Sequence, residues 1–337
     1  MKPDKVLGNW CLILAAMVFG MTIGGGHVRT IGAGFAIETW RPVTGFIPPM
    51  NAADWSYLFG LFRQTAIYQS HPITLAQYKS LFWPMYFDRN WGRLMGLVFI
   101  LPFAWFLATG RLHGRAVLWM LAIFALGALQ ALFGWYMVQQ GLQPGVLTPT
   151  PIWGGPHFAS AMLIFAFLLW IGLTFRTPQP APVENAARLR PWTTASILLI
   201  FATMGFGALV ATSNAINVYN SFPTMDGRWL PPAMFTPGPF WVNQATVQFA
   251  HRLLATITVL VVLATAIIGL RTTLPPALRD NFLLLAGLVA LQYLLGMTTI
   301  VLGSSNLGYV HELNAVLLFA TAIFARHKLR GAQGVHL

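Results

Sequence analysis

The chain has 337 residues, of which 56% are apolar and only 8% are charged. A soluble domain carries about 25% charged residues, so the composition excludes a soluble globular protein, and its hydrophobicity excludes a disordered chain. The formal net charge is +12, but the basic residues are thinly spread and flank apolar runs, which argues against nucleic acid as a partner. The composition is typical of a multi-pass helical membrane protein.

Eight apolar runs are long enough to cross a bilayer as helices, since about 20 mostly apolar residues span the hydrocarbon core. The runs are continuous rather than alternating, which excludes the strands of a membrane β-barrel. In chain order they lie near 9–27, 92–110, 115–138, 157–175, 192–212, 248–270, 281–303 and 309–326. The predicted fold class is therefore an all-α polytopic membrane protein with eight transmembrane helices.

The distribution of Lys and Arg predicts the orientation of these spans, because cytoplasmic loops carry an excess of both. With the N-terminus inside, the inner side holds twelve of them and the outer side eight. No Arg/Ser-rich transit peptide precedes the first run. We expect a bacterial cytoplasmic (inner) membrane protein with both termini cytoplasmic. The long connections 28–91 and 213–247 are then periplasmic and are expected to form lids.

An internal repeat divides the chain. Leu129–Gly134 and Leu291–Gly296 share the pattern Leu-Gln-x-Leu-x-Gly. Upstream of each pattern, at nearly the same distance, Asp88 in the first half aligns with His251 in the second. These matches in the same order predict a duplication.

The repeat predicts two pseudo-symmetric four-helix bundles. The N-terminal half covers 1–176, a cytoplasmic linker covers 177–191, and the C-terminal half covers 192–337. Two such repeats would carry a site at the end of equivalent helices in each half, on one side of the membrane.

Three histidines lie at the predicted outer ends of spans, namely His157, His251 and His311. Ionisable residues within a membrane are costly and point to functional sites, and imidazole is a common axial ligand of haem iron. His251 and His311 belong to one half and one depth, so they are placed to clamp one haem between two helices. The alternative for each is an interfacial hydrogen-bonding residue. Ordinary solvated side chains are expected for the remaining cytoplasmic histidines: His113, His327 and His336.

Short sequence stretches in a specific order cover nearly the whole chain. They are Trp40–Pro49, Tyr78–Phe82, Trp91–Gly96, Gly134–Val138, Tyr219–Pro232 and Val247–Arg252. In these stretches the chain resembles the haem A synthase family. The resemblance is greatest to the cysteine-poor type of proteobacteria and mitochondria, and Cys11 is the only cysteine here.

The resemblance implies a membrane oxidoreductase that oxidises the C8 methyl group of haem O to a formyl group, which supplies haem A to terminal oxidases. It implies a haem b in the C-terminal half, with its iron ligated by His251 and His311. The N-terminal half would receive haem O, with His157 as one ligand of the substrate iron. The expected partners are haem O and the lipid bilayer, with a haem O synthase or terminal oxidase assembly proteins as candidates. Whether the protein forms a homo-oligomer stays open.

The chain departs from the family before the second span. The family has Glu-x-x-His-Arg there, whereas this chain has Met85-Tyr86-Phe87-Asp88-Arg89. Met85 stands at the family's Glu position, and methionine cannot accept or shuttle a proton. Asp88 stands at the family's His position, and an aspartate has no ring N–H. Asp88 and His157 are therefore the candidate catalytic residues, with Asp88 supplying the lost acid–base group from one helical turn away.

Several alternatives remain for this stretch. Asp88 could instead form a solvated ion pair with Arg89 or Arg93, and His27 or His71 could replace the lost iron ligand. The whole protein has an alternative too, as a non-catalytic haem-b-binding homologue that acts in oxidase assembly or as an accessory subunit. A transporter is less favoured, because transporter sites use interrupted spans near the midplane.

Overall fold

A computed structural model describes residues 3–142 and 151–334. The α-helices in these residues, in chain order, are α1 (Lys5–Thr30), α2 (Ala52–Phe62), α3 (Ala66–Ser70), α4 (Leu75–Ala108), α5 (Arg115–Gly141), α6 (Pro151–Arg176), α7 (Leu189–Thr212), α8 (Gln244–Leu270), α9 (Pro276–Leu302) and α10 (Ser305–Lys328). All except α2 and α3 are long and apolar enough to cross a membrane, eight helices in total. The prediction of an all-α polytopic membrane protein is confirmed.

The second spanning helix begins much earlier than its hydropathy predicts. The sequence indicates a start near 92, whereas α4 begins at Leu75. A capping box stabilises this start, since the Thr74 side chain accepts from the Gln77 N–H and the Gln77 side chain accepts from the Thr74 N–H. Polar and charged side chains between 75 and 91 lower the hydropathy without disfavouring a helix. Asp88 therefore lies on a helix and not in the expected connection.

The chain forms two compact units. The first unit contains residues 1–15 and 165–337, and the second unit contains residues 16–164. The boundaries fall inside α1 and α6. The predicted halves at 1–176 and 192–337 rest on sequence equivalence, and that division stays a prediction.

The first unit contains a closed bundle of four helices, α7 to α10. Each helix packs on the next one, and α10 returns to α7. Hydroxyl pairs join α7 to α8, with Ser196 Oγ 2.9 Å from Thr265 Oγ1 and Thr203 Oγ1 2.7 Å from Thr258 Oγ1. Such interhelical hydrogen bonds and close packing hold helices together in lipid, where apolar burial gives little driving force.

In the second unit the first long connection is folded against the N-terminal part of α4. Buried Phe62, Tyr78 and Phe82 form its apolar centre. The ring centroids of Trp55 and Phe82 lie 5.0 Å apart in an edge contact, and those of Phe62 and Tyr78 lie 5.1 Å apart. Aromatic pairs of this kind contribute about 0.5–1.5 kcal/mol beyond area burial. They hold α2 and the start of α4 together.

Candidate functional site

Two histidines face each other inside the four-helix bundle of the first unit. His251 lies on α8 and His311 on α10, and their ring centroids are 6.4 Å apart with an interplanar angle of 81°. Two imidazoles bound on opposite sides of one metal ion have centroids about 6 Å apart, given metal–nitrogen bonds of about 2 Å. The pair therefore fits axial ligation of a single iron.

An amide network orients His311. Gln292 Nε2 lies 3.2 Å from His311 Nε2, while Gln292 Oε1 accepts from Asn314 Nδ2 at 2.7 Å. Asn314 also donates to the Leu288 carbonyl at 3.0 Å, which fixes the amide. Gln292 must then present its N–H to the imidazole. The Nδ1 atoms of His311 and His251 are buried without a hydrogen-bond partner, which is rare in a protein interior unless an unseen group satisfies them.

The second unit repeats the arrangement around His157 on α6. Gln130 Nε2 lies 3.4 Å from His157 Nε2, and the Ser160 hydroxyl donates to Gln130 Oε1. His157 Nδ1 is likewise buried without a partner. The sequence pattern aligns Gln130 with Gln292, and the structure shows that His157 with Gln130 corresponds to His311 with Gln292.

Each histidine of the first-unit pair lies against a glycine of the preceding helix. The Cβ that an alanine would carry at Gly207 would lie 3.1 Å from His251 Cε1. The same construction at Gly296 gives 3.0 Å to His311 Cε1. A side chain at either glycine would push the ring away, so these glycines allow the imidazoles to approach the neighbouring helix.

The second unit shows the same contact twice. A Cβ at Gly134 would lie 3.0 Å from His157 Cε1, and a Cβ at Gly24 would lie 3.0 Å from Asp88 Oδ1. That oxygen is buried without a hydrogen-bond partner. Asp88 thus occupies the position that His251 occupies in the first unit.

The arginines beside Asp88 bind backbone carbonyls. Arg89 donates to the carbonyls of Ile37 and Thr39, and Arg93 donates to those of Arg41 and Pro42. The unpartnered Oδ1 is also buried, so this oxygen takes no part in the solvated ion pair considered from the sequence.

Arg252 in the first unit donates to backbone carbonyls of the preceding connection, as Arg89 does in the second unit. It donates to the carbonyls of Tyr219 and Ser221, each at 2.8 Å. In both units the arginine that follows the aligned position holds two carbonyls that are two residues apart. In both units these hydrogen bonds link the helix to the connection that precedes it.

Sequence reasoning missed Glu38, which lies between the two carbonyls that Arg89 holds. Glu38 Oε1 is buried without a partner, and burial raises the pKa of this carboxyl from 4.5 to about 7. The sequence offered one signal that could have singled out Glu38: acidic residues are rare in this chain, which has only eight. Met85 is 7% exposed and packs with Val28, Ala33 and Ala36 in an apolar cluster, so it offers no proton-handling group.

The remaining histidines lie elsewhere. His27 at the end of α1 and His71 after α3 are exposed, and His71 Nδ1 lies 3.0 Å from Ser70 Oγ. His113 is exposed, as expected. The expectation for His327 is wrong, because it is 5% exposed and packs edge-on against Trp170 with Nε2 3.2 Å from Thr174 Oγ1. His336 lies outside the described residues.

The fold and the site together define a class of protein. It is a polytopic helical membrane protein in which two imidazoles face each other within a four-helix bundle. Within the described residues no cluster of three or more His, Cys, Asp or Glu could hold a metal ion alone. An iron held in a porphyrin needs only axial ligands from the protein, and the histidine pair can provide them.

Comparison with known proteins identifies the family. Residues 8–323 match the cytochrome oxidase assembly protein family, COX15-CtaA, so the chain belongs to that family. It is 53% identical to Heme A synthase 1 of Acidiphilium cryptum, over 98% of this chain and 94% of the relative. It is 38% identical to Heme A synthase 2 of the same organism, over 98% and 93%. The identity to Heme A synthase of Methylorubrum extorquens is 40%, over 97% and 86%.

Proposed function

We propose that this protein is a haem A synthase, a membrane oxidoreductase that oxidises the C8 methyl group of haem O to a formyl group. The observation that carries the proposal is the 53% identity to a haem A synthase over 98% of the chain. The relatives from Acidiphilium cryptum and Methylorubrum extorquens at 38% and 40% identity are haem A synthases as well. The non-catalytic alternative is therefore not favoured.

The proposed cofactor is a haem b in the first unit, with its iron ligated by His251 and His311. Their 6.4 Å centroid separation supports this ligation. Gln292 holds one ring in place, and the glycines of α7 and α9 leave room for both rings. The haem b, when bound, supplies electron transfer to an external acceptor.

The proposed substrate site lies in the second unit. His157 binds the iron of haem O, and Asp88, the other candidate catalytic residue, lies at the position equivalent to His251. The equivalence of His157 with His311 and of Asp88 with His251 supports this placement. We further propose the bacterial inner membrane as the location, with both termini cytoplasmic, on the excess of Lys and Arg on that side.

Complementation tests the proposed function. The chain is expressed in a bacterium that lacks its own haem A synthase but keeps its haem O synthase and an oxidase that requires haem A. We expect oxidase activity to return. The His157→Ala variant should fail to restore it, whereas His113→Ala, at an exposed histidine, should restore it fully. Membranes that contain the protein with bound haem b but no oxidase activity would contradict the proposal.

A further inference from the structure

Four pairs of helices repeat one contact. In three pairs a glycine of one helix faces a histidine of the next, at Gly134, Gly207 and Gly296. In the fourth pair Gly24 of α1 faces Asp88 of α4. The four distances from the constructed Cβ lie between 3.0 and 3.1 Å. Asp88 is thus packed in the way that the three histidines are packed.

Each of these four residues also has a buried polar atom without a partner. The atoms are Oδ1 of Asp88 and Nδ1 of His157, His251 and His311. The unpartnered oxygen of Asp88 is the same atom that faces Gly24. Polar atoms are rarely left unpaired in a protein interior, so Asp88 shares an uncommon feature with the three histidines.

The residue after Asp88 strengthens the equivalence with His251. Arg89 donates to two carbonyls of the preceding connection and Arg252 to three. The backbone around position 88 is therefore held as the backbone around the haem b ligand is held. The two positions share this anchoring of the backbone and differ in the side chain.

We infer that Asp88 takes the second axial position on the iron of the substrate haem, opposite His157. This inference rests on the proposed function, which assigns the substrate to the second unit. A carboxylate is a hard oxygen donor and a weaker-field ligand than imidazole. The substrate iron then has one imidazole and one oxygen ligand, whereas haem b has two imidazoles.

The spin state of added ferric haem O tests this ligation. The purified protein, with its haem b in place, is loaded with haem O under anaerobic conditions so that no turnover changes the added haem. Electron paramagnetic resonance is recorded before and after loading. We expect the added haem O to be high-spin in the native protein, with g-values that change in Asp88→Ala because the carboxylate ligand is absent. In the Asp88→His variant it should become low-spin, since Gly24 leaves the space that Gly207 leaves beside His251.

The controls separate the inference from its alternatives. The low-spin haem b signal should stay unchanged in Asp88→His, which shows that the variant is folded. A low-spin bis-imidazole spectrum of haem O in the native protein, lost on His27→Ala or His71→Ala, would overturn the inference while leaving the proposed function intact. So would a high-spin spectrum that persists in Asp88→His, or g-values that are the same in Asp88→Ala as in the native protein. Failure of haem O to bind beside an intact haem b would overturn the inference and the proposed function together.

Discussion

Buried polar atoms are satisfied differently around equivalent residues of the two units. In the first unit the Asn220 amide donates to the carbonyls of Ile216 and Ile300. Asn220 lies in sequence between Tyr219 and Ser221, whose carbonyls accept from Arg252. In the second unit Glu38 lies in the same way between Ile37 and Thr39, whose carbonyls accept from Arg89. Its Oε1 has no hydrogen-bond partner. An unsatisfied buried polar group costs about 1–3 kcal/mol. That cost falls on Glu38 and not on the equivalent Asn220.

Removing either proposed haem b ligand should abolish the low-spin haem signal. His251→Ala or His311→Ala leaves one imidazole, which cannot give a bis-imidazole iron. Optical and electron paramagnetic resonance spectra of the purified variants should therefore lose the low-spin haem signal. His113→Ala is the control, since that histidine is exposed. Low-spin haem retained in both variants would refute the ligand assignment.

Glu38 should make stability depend on pH. Burial raises the pKa of its carboxyl from 4.5 to about 7, so between these values the folded state binds more protons than the unfolded state. Stability should then fall as pH rises through this interval. Glu38→Gln should flatten that part of the profile, because glutamine does not titrate. Thermal unfolding in detergent across this pH interval measures the effect.

The matched control for this effect is Glu184→Gln. Glu184 is exposed, between α6 and α7, so its replacement should leave the profile as it is in the native protein. Equal slopes for the native protein and Glu38→Gln would show that the Glu38 carboxyl has the same pKa folded and unfolded.

The helix pair with a facing glycine is the repeated element of this fold. Hydropathy alone identifies the eight spans, because apolar runs of about 20 residues are typical of helices that cross a bilayer. It does not identify α2 and α3, nor the early start of α4, since those residues alternate between aromatic packing and polar surface. The facing glycines were also not predicted. A glycine in a spanning helix is common, and only the neighbouring helix shows what it contacts.

An alanine at the facing glycines should displace the haem b ligands. Gly207→Ala and Gly296→Ala place a Cβ about 3 Å from the imidazoles, so each ring must shift by a few tenths of an ångström. The g-values and midpoint potential of haem b should change. Gly205→Ala on α7 and Gly287→Ala on α9 are matched controls, since a Cβ at either glycine has no neighbour within 4 Å. Identical spectra in all four variants would show that the rings have free space.

The whole molecule combines a repeated architecture with two different sites. The Leu-Gln-x-Leu-x-Gly pattern aligned Gln130 with Gln292, and in the structure each glutamine contacts a histidine, His157 or His311. The alignment of Asp88 with His251 was predicted in the same way. Glu38 could not be predicted, because its burial depends on how a loop folds over α4. His327 was wrongly expected at the surface, because its neighbours in sequence are charged while its neighbours in space are Trp170 and Thr174.

The identity of the product haem tests the central claim most directly. The chain is expressed with a haem O synthase in a host that makes no haem A, and the haems of the membranes and of the purified protein are separated by chromatography and identified by mass. The account predicts haem A, or its hydroxymethyl precursor, beside the haem B of the cofactor. Haem B alone on the protein, with haem O unchanged in the membrane, would contradict it.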